Sequence, residues 1–321
     1  MSDDPRDAPF FIVGSARSGT TLLRDLLRSH SRLFVGTEAR FIPFLHALHG
    51  SPQNDREAIR LGTAILDTIG HSEVWTTLTP DDFAHFRSFR AAASLPFERA
   101  AAAAGKARWG DKSPRYVEHI PQILEIFPAA RVVHIVRDGR DVALSMMRTN
   151  FAPQTVYHAA TAWRRRVLRG REALRCHGPQ RIHEVRYEEL LRDPKATLSE
   201  LLGFLGEEFE PPVLTRSRIS SEGGPHRSGS DQVDPTRAGR WTQEMSLRDR
   251  CVFESVAEDA LRAFGYPVEG LGRPISTLSR WRWHLIESRR RLASGWLVRR
   301  LRLHWLRVWW MRRRARSKGV S

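Results

Sequence analysis

Two short stretches of this 321-residue chain carry side chains suited to gripping oxyanions. The first is Gly14-Ser15-Ala16-Arg17-Ser18-Gly19-Thr20-Thr21, set between the apolar run Phe10–Val13 and a helical pattern at Leu22, Leu23, Leu26 and Leu27. A glycine-rich turn between strand and helix points successive backbone N–H groups and a helix N-terminus at an anion. The glycine spacing fits a phosphate loop, but Thr20 stands where a nucleoside-triphosphate loop demands lysine. The loop is therefore expected to hold an anionic oxo-group, with Arg17 supplying the charge. The second stretch is Val136-Arg137-Asp138-Gly139-Arg140-Asp141-Val142-Ala143-Leu144-Ser145. It closes Arg131–Val136, the strongest strand pattern in the chain, and ligands of open parallel sheets bind at strand carboxyl ends. Arg137 offers a planar fork to a phosphate, and Ser145, on the following helix, offers a hydroxyl. Alone, the Arg-Asp pair also fits a plain salt bridge; with the glycine loop it makes a second anion seat on one sheet edge.

Elements of both kinds must alternate to place two such seats together. Strands are expected at Phe10–Val13, Leu33–Val35, Arg131–Val136 and Ile182–Arg186. Helices are expected after Gly19, at about 40–49, 55–69 and 90–104, over Tyr116–Phe127, and from Asp141 to about Arg148. Further helices are expected at about 155–175, over Pro194–Leu205 and over Leu247–Phe264, with a loop at 215–239 rich in Gly, Ser, Pro and Arg. This alternation predicts an α/β fold of P-loop type: a three-layer sandwich with a central, mainly parallel sheet and helices on both faces.

Composition narrows the setting. The formal net charge is +16, but residues 280–321 hold 14 of the 52 Lys+Arg and one of the 36 acids. That leaves 38 basic against 35 acidic side chains in the first 279 residues, which weakens the case for the body as a general nucleic-acid binder. Two domains are expected: 1–279, and a basic Trp/Arg-rich tail at 280–321. In the tail Leu297, Leu301, Trp305 and Trp309 recur every four residues among arginines, the pattern of a basic amphipathic helix. It suits an anionic membrane surface, packing on the body or a partner chain, or nucleic acid. A homodimer is open too. Cys176 and Cys251 form no metal-binding pair, no acidic metal cluster is evident, and none is expected. The acidic start Met1–Pro5 does not read as a signal peptide, and no apolar run is long enough to span a bilayer, so a cytoplasmic location is expected, peripheral to membrane if the tail binds there.

With these motifs in view, residues 9–265 resemble the sulfotransferases that use 3′-phosphoadenosine 5′-phosphosulfate (PAPS). Arg17-Ser18-Gly19-Thr20-Thr21-Leu22 resembles their 5′-phosphosulfate loop, and Arg137 to Ser145 their 3′-phosphate motif. Arg186-Tyr187-Glu188-Glu189-Leu190, with Asp193-Pro194 and Leu201–Gly206, resembles a further family segment, which implies Tyr187 near the adenosine. The protein-tyrosine sulfotransferases are most similar, through Gly36-Thr37-Glu38-Ala39-Arg40, Gly110-Asp111-Lys112-Ser113-Pro114, and Ser230-Asp231-Gln232-Val233 with Arg240-Trp241. The resemblance implies Glu38 as catalytic base, Lys112 and Arg17 stabilising the transition state, Arg40 at the acceptor, and Ser230, Gln232 and Arg240 closing over the donor. Ser228 is the other candidate for the loop serine, because Gly229 stands where those enzymes carry one. Thr37 replaces an acid, and Arg240 a lysine.

The implied activity is that of an EC 2.8.2 enzyme, moving a sulfuryl group from PAPS to an acceptor hydroxyl without metal. The acceptor is tyrosine in a peptide or protein, or else a carbohydrate, lipid or small phenol. A sulfuryl group carries less negative charge than a phosphoryl group, so fixed cations and backbone donors suffice where phosphoryl transfer uses Mg²⁺. A base near the loop would serve if partial burial raised its pKa. Glu38 could equally be a surface acid paired with Arg40, and His30 is a second, weaker candidate base. A P-loop kinase and a non-catalytic nucleotide-binding module are the competing readings.

Overall fold

A computed structural model describes residues 8–69, 78–149, 153, 155–216 and 234–293. The chain divides into two compact units, Met1–Asp138 with Arg165–Arg240, and Gly139–Arg164 with Trp241–Ser321. The first holds the sheet. Its strands are β1 (Phe10–Gly14), β2 (Leu33–Val35), β3 (Arg108–Lys112), β4 (Arg131–Val136) and β5 (Ile182–Arg186). All pair in parallel, in the order β2-β3-β1-β4-β5. The helices, in chain order, are α1 (Thr20–Leu27), α2 (Ile42–His49), α3 (Asp55–Ile69), α4 (Phe89–Ala103), α5 (Ile120–Ile126), α6 (Gly139–Met147), α7 (Val156–His177), α8 (Tyr187–Arg192), α9 (Pro194–Leu205), α10 (Trp241–Glu244), α11 (Leu247–Ala263) and α12 (Thr277–Ala293).

Strand alternation builds the layers. Phe10 and Ile12 of β1 point to one face, where Leu23, Leu26 and Leu27 of α1 meet Leu190 of α8 and Leu198, Leu201, Leu202 and Leu205 of α9. Phe11 and Val13 point to the other, against residues of α2, α3, α4 and α5. With both faces covered, β1 can be apolar throughout, and it is wholly buried. The chain leaves β1 toward one side of the sheet and β3 toward the other, so the strand order switches beside β1. Ligands of open α/β sheets gather at such a switch, outside the carboxyl ends of the strands.

The three-layer α/β architecture is the one expected, with two local differences. The sequence reading placed no strand at Arg108–Lys112, yet β3 lies between β1 and β2. Three charges in five residues hid it. Arg108 is fully buried and spends its donors on Ala8 O at 2.6 Å, Leu205 O at 2.5 Å and Glu207 Oε1 at 3.2 Å, which is what lets a cation sit there. The helix expected over Tyr116–Phe127 is split into a 3₁₀ turn, Pro114–Glu118, followed by α5. Pro121 lacks the N–H that a continuous helix would need and starts a new one instead.

In the second unit, Gly139 opens α6 where a Cβ would lie 2.4 Å from Trp163 and 2.5 Å from Phe253. The backbone N–H of Trp241 donates to Asp141 Oδ1 at 2.8 Å, and the Arg140 guanidinium stacks 3.5 Å from the Trp241 ring centre. α12 docks through Trp283, stacked on Tyr157 at 4.9 Å. The expected domain boundary at 279/280 falls inside α12, and the tail from 294 onward lies outside the described residues.

Candidate active site

The glycine turn joins β1 to α1. Gly19 is the residue before α1 and takes a left-handed conformation, φ 95°, and Arg17 is left-handed as well, φ 74°. Gly19 is required on a second count, because a Cβ there would lie 2.3 Å from Cδ2 of Tyr187. Thr20 and Thr21 begin the helix, whose first N–H groups have no intrahelical acceptors. The Ser18 hydroxyl is buried with no hydrogen-bond partner among the described residues. A buried donor left open beside a helix N-terminus is what an oxyanion seat supplies.

Arg137 follows the last residue of β4, the neighbour of β1, and reaches this turn. Its guanidinium donates to the carbonyl of Arg17 at 3.5 Å and to that of Arg237 at 2.5 Å, and lies 4.5 Å from the centre of the Tyr187 ring. Tyr187 is therefore held between Gly19 and Arg137, at the mouth of the glycine turn. The two guanidiniums are close enough to feel each other: burial first, then Arg137, lowers the pKa of Arg17. Two cations held together on the turn at the strand ends favour an anion of more than one charge. The Asp138 N–H donates to Glu188 Oε1 at 2.8 Å and ties the end of β4 to α8, which carries Tyr187.

A second cluster stands at the ends of β2 and β3. Lys112, whose Cα pairs with that of Ile12, donates from Nζ to Glu38 Oε1 at 2.8 Å. Arg40 holds the other oxygen, Nε to Oε2 at 2.6 Å. Lys112 is buried and Glu38 half-buried, whereas the Arg40 side chain is 72 % exposed. Burial pushes the Glu38 carboxyl up, but Lys112 and Arg40 together outweigh it and leave the pKa below the usual carboxylate value. That corrects the condition set from sequence, which asked burial to raise this group: its two cations prevail. The pairing with Arg40 considered as an alternative is present, and Lys112 joins it. His30 serves structure, its Nε2 within 3.0 Å of the carbonyl of Glu208.

The structure thus brings Arg17, Ser18, Gly19, Thr20, Thr21, Arg137 and Tyr187 to one turn, and Glu38, Lys112 and Arg40 to an adjacent strand end. Ser145 is half-buried on α6, in the other unit. Arg240 is exposed at the end of the first unit. Ser228, Ser230 and Gln232 lie outside the described residues. Sequence reasoning missed Arg237, whose carbonyl sits in a 3₁₀ turn, Pro235–Arg237, capped by Asp234. It also gave no role to Asp111, Ser113 and Tyr116, which surround the Glu38 turn; an acid, a hydroxyl and a phenol beside Lys112 were the available signal.

Known proteins are similar to this chain in sequence and fold. The family model described as "Sulfotransferase family" matches residues 9–211. An uncharacterized protein of Aquifex aeolicus (strain VF5) is 30% identical over 221 residues, 65% of this chain and 27% of that one. The protein-tyrosine sulfotransferase of Drosophila melanogaster is 28% identical over 223 residues, 65% of this chain and 40% of its own length. The chain spans 27% to 59% of the lengths of such curated relatives. Among solved structures, the sulfotransferase domain from the Synechococcus PCC 7002 olefin synthase superposes with a TM-score of 0.57 at 25% identity, covering 81% of this chain and 95% of that domain. Because the family match takes in both the glycine turn and the end of β4, the chain belongs to the sulfotransferase family.

Proposed function

We propose that this protein moves a sulfuryl group from PAPS to an acceptor hydroxyl. The observation that carries this reading is the position of Arg137, with its guanidinium on the Arg17 carbonyl and against the ring of Tyr187. One cation beside the glycine turn and a second within it suit a nucleotide charged at both its 3′ and 5′ ends. The residues present fit that group: the Ser18 hydroxyl is buried and open, and the backbone at Gly19 admits no side chain. Ser18, Gly19, Thr20, Thr21 and Arg17 would hold the 5′ end, Arg137 the 3′-phosphate, and Tyr187 the base. Ser230, Gln232 and Arg240 are the proposed closing residues.

PAPS supplies an activated sulfuryl group; the chain supplies position and charge. Arg17 and Lys112 would stabilise negative charge on the leaving side, where fixed donors count most because they need no reorganisation. Glu38 accepts the acceptor's proton at a carboxylate oxygen. Its two cations keep it ionised at neutral pH and make it a weak base at rest. Were Lys112 to donate to a leaving oxygen instead, one lowering influence on Glu38 would be gone and its proton affinity would rise. The favoured acceptor is tyrosine in a peptide or protein, supported by relatives that bear the name protein-tyrosine sulfotransferase. Carbohydrate, lipid and small phenol acceptors are the alternatives, and no metal takes part in the proposed chemistry.

Calorimetry with adenosine 3′,5′-bisphosphate against ATP plus Mg²⁺ separates this reading from a kinase: tighter binding of ATP refutes it. Labelled PAPS offered with a tyrosine peptide, a glycan, a lipid and a phenol identifies the acceptor. If the wild type turns over and Glu38→Gln matches it, Glu38 is not the base; if neither turns over, the module binds without catalysis.

One observation favours association with an anionic membrane. Leu278, Trp281 and Leu285 lie one to two turns apart on α12 and are 81%, 66% and 48% exposed, away from the Trp283 side that docks on Tyr157. Arg282 and Arg289 are exposed on the same helix. Apolar residues flanked by arginines suit the headgroup boundary. No described helix is long and apolar enough to cross a membrane. Co-sedimentation with anionic vesicles should fall when Leu278, Trp281 and Leu285 are replaced together by Gln; equal binding removes this idea.

A further inference from the structure

We propose that Asp111, Ser113 and Tyr116 are positioning residues that pin the turn carrying Glu38 against Lys112. This rests on the reading of Glu38 as the proton acceptor. The turn between β2 and α2 has a backbone problem. Arg40 adopts a left-handed conformation, φ 58°, which a non-glycine residue keeps only when its surroundings impose it. The surroundings are three side chains of one short segment. Asp111 Oδ1 accepts from the N–H of Ala39 at 3.4 Å, and Ser113 Oγ accepts from the N–H of Arg40 at 3.4 Å. Tyr116 Oη accepts from the N–H of Ile42 at 3.0 Å. The three holders are themselves joined, since Ser113 Oγ donates to Asp111 Oδ1 at 3.2 Å.

All three are buried, Asp111 at 0%, Ser113 at 1% and Tyr116 at 4% exposure, so water does not compete for these bonds. Individually the two 3.4 Å contacts are long; as a set, three acceptors grip the backbone N–H groups of residues 39, 40 and 42. The same segment carries Lys112. In an extended strand, alternate residues point to opposite sides, so Asp111 and Ser113 turn one way to the backbone while Lys112 turns the other way to the carboxylate. One rigid strand end therefore fixes both the Glu38 backbone and the cation that its carboxylate meets. A carboxylate that must meet a hydroxyl proton gains from this, because misplacement by about 1 Å costs on the order of 10²-fold in rate.

The test uses the full chain with PAPS and the best acceptor found. Ser113→Ala should lower kcat about 10- to 100-fold, leave the KM for PAPS within about twofold, and speed amide exchange at Ala39 and Arg40 about tenfold or more. Ser113→Thr, which keeps the hydroxyl, should restore both. Asp111→Asn, which keeps an oxygen for the Ala39 N–H, should stay within about threefold of wild type, and Asp111→Ala should not. Unchanged exchange in Ser113→Ala overturns the proposal, as does faster exchange with wild-type kcat. So does an equal loss in kcat, PAPS affinity and thermal stability, which marks plain destabilisation. Glu38→Gln is assayed beside them. A fully active Glu38→Gln enzyme sinks the base reading, and amide exchange then decides the pinning on its own.

Discussion

Replacing Gly19 by Ala tests whether the glycine turn and Tyr187 act as one unit. The methyl group meets two obstacles. The left-handed backbone, φ 95°, costs an L-residue roughly 1–2 kcal/mol. The new Cβ would lie 2.3 Å and 2.6 Å from two ring carbons of Tyr187, far inside contact distance, so the ring must move. Overpacking of that kind costs about 1–3 kcal/mol. A total near 3 kcal/mol should lower Tm by roughly 5–10 °C. The displaced ring also leaves the Arg137 guanidinium, now 4.5 Å from its centre. Losing about 0.5–2 kcal/mol of cation–π attraction in the anion seat corresponds to roughly 2- to 30-fold weaker binding of adenosine 3′,5′-bisphosphate. The decisive measurement is a double-mutant cycle with Tyr187→Ala, read by thermal unfolding and calorimetry. Without the ring, Gly19→Ala should cost only its backbone strain, so the two changes should couple by about 1–3 kcal/mol. Additive costs would mean that the ring does not press on Gly19, and the geometry assigned to the seat would be wrong.

Three further outcomes are expected. Arg137→Ala should weaken adenosine 3′,5′-bisphosphate at least about tenfold, and Arg137→Lys should recover little of it, because a lysine cannot donate a planar fork while stacked on Tyr187; full affinity in either variant would displace Arg137 from the site. Glu38 titrates below the usual carboxylate value, so kcat/KM should fall only as pH drops beneath the ordinary glutamate range, and Arg40→Gln should move that acid limb to higher pH by removing one lowering influence; an unmoved limb refutes the pairing. Asp111 behaves oppositely: burial raises its pKa to about 7, so the folded protein holds a proton that the unfolded chain releases near the ordinary aspartate value. Its contribution is complete at acid pH and is lost as pH rises through about 7, so the Tm advantage of Asp111→Asn over wild type should grow from pH 5 to pH 8.

Where the sequence was legible, one physical signal dominated. β1 is an unbroken apolar run and β4 is one broken only by His134 after its first residue, Arg131, and the glycine turn between β1 and α1 is written in residue types that only a bare backbone explains. The meeting of Arg137 with the glycine turn followed from those elements, because strand ends and a helix start leave little choice of direction. β3 was illegible for the opposite reason. Its five residues include Arg108, Asp111 and Lys112, and an isolated pattern of that kind reads as loop. Only tertiary acceptors, the carbonyls of Ala8 and Leu205 among them, make it a buried strand. Losing β3 from the reading hid the role of its neighbours: Glu38 could be weighed against Arg40 alone, two residues away in sequence, but its burial partner Lys112 is 74 residues distant.

The two carboxylates beside Lys112 show why that strand carries charge into the sheet. Glu38 adds to the cost of ionising Asp111, and Lys112 lowers the pKa of both. Glu38, met by two cations, takes the ionised state and sits below the usual range. Asp111, buried, with Oδ2 unpartnered among the described residues, is pushed the other way. Two acids set in environments that drive their pKa values apart differ in charge: Glu38 stays ionised, and Asp111 remains a neutral structural group at mildly acid pH. The ammonium of Lys112 is hydrogen-bonded to Glu38, while its field reaches Asp111 as well. A strand of apolar residues at this place would be a better strand and could not make that difference.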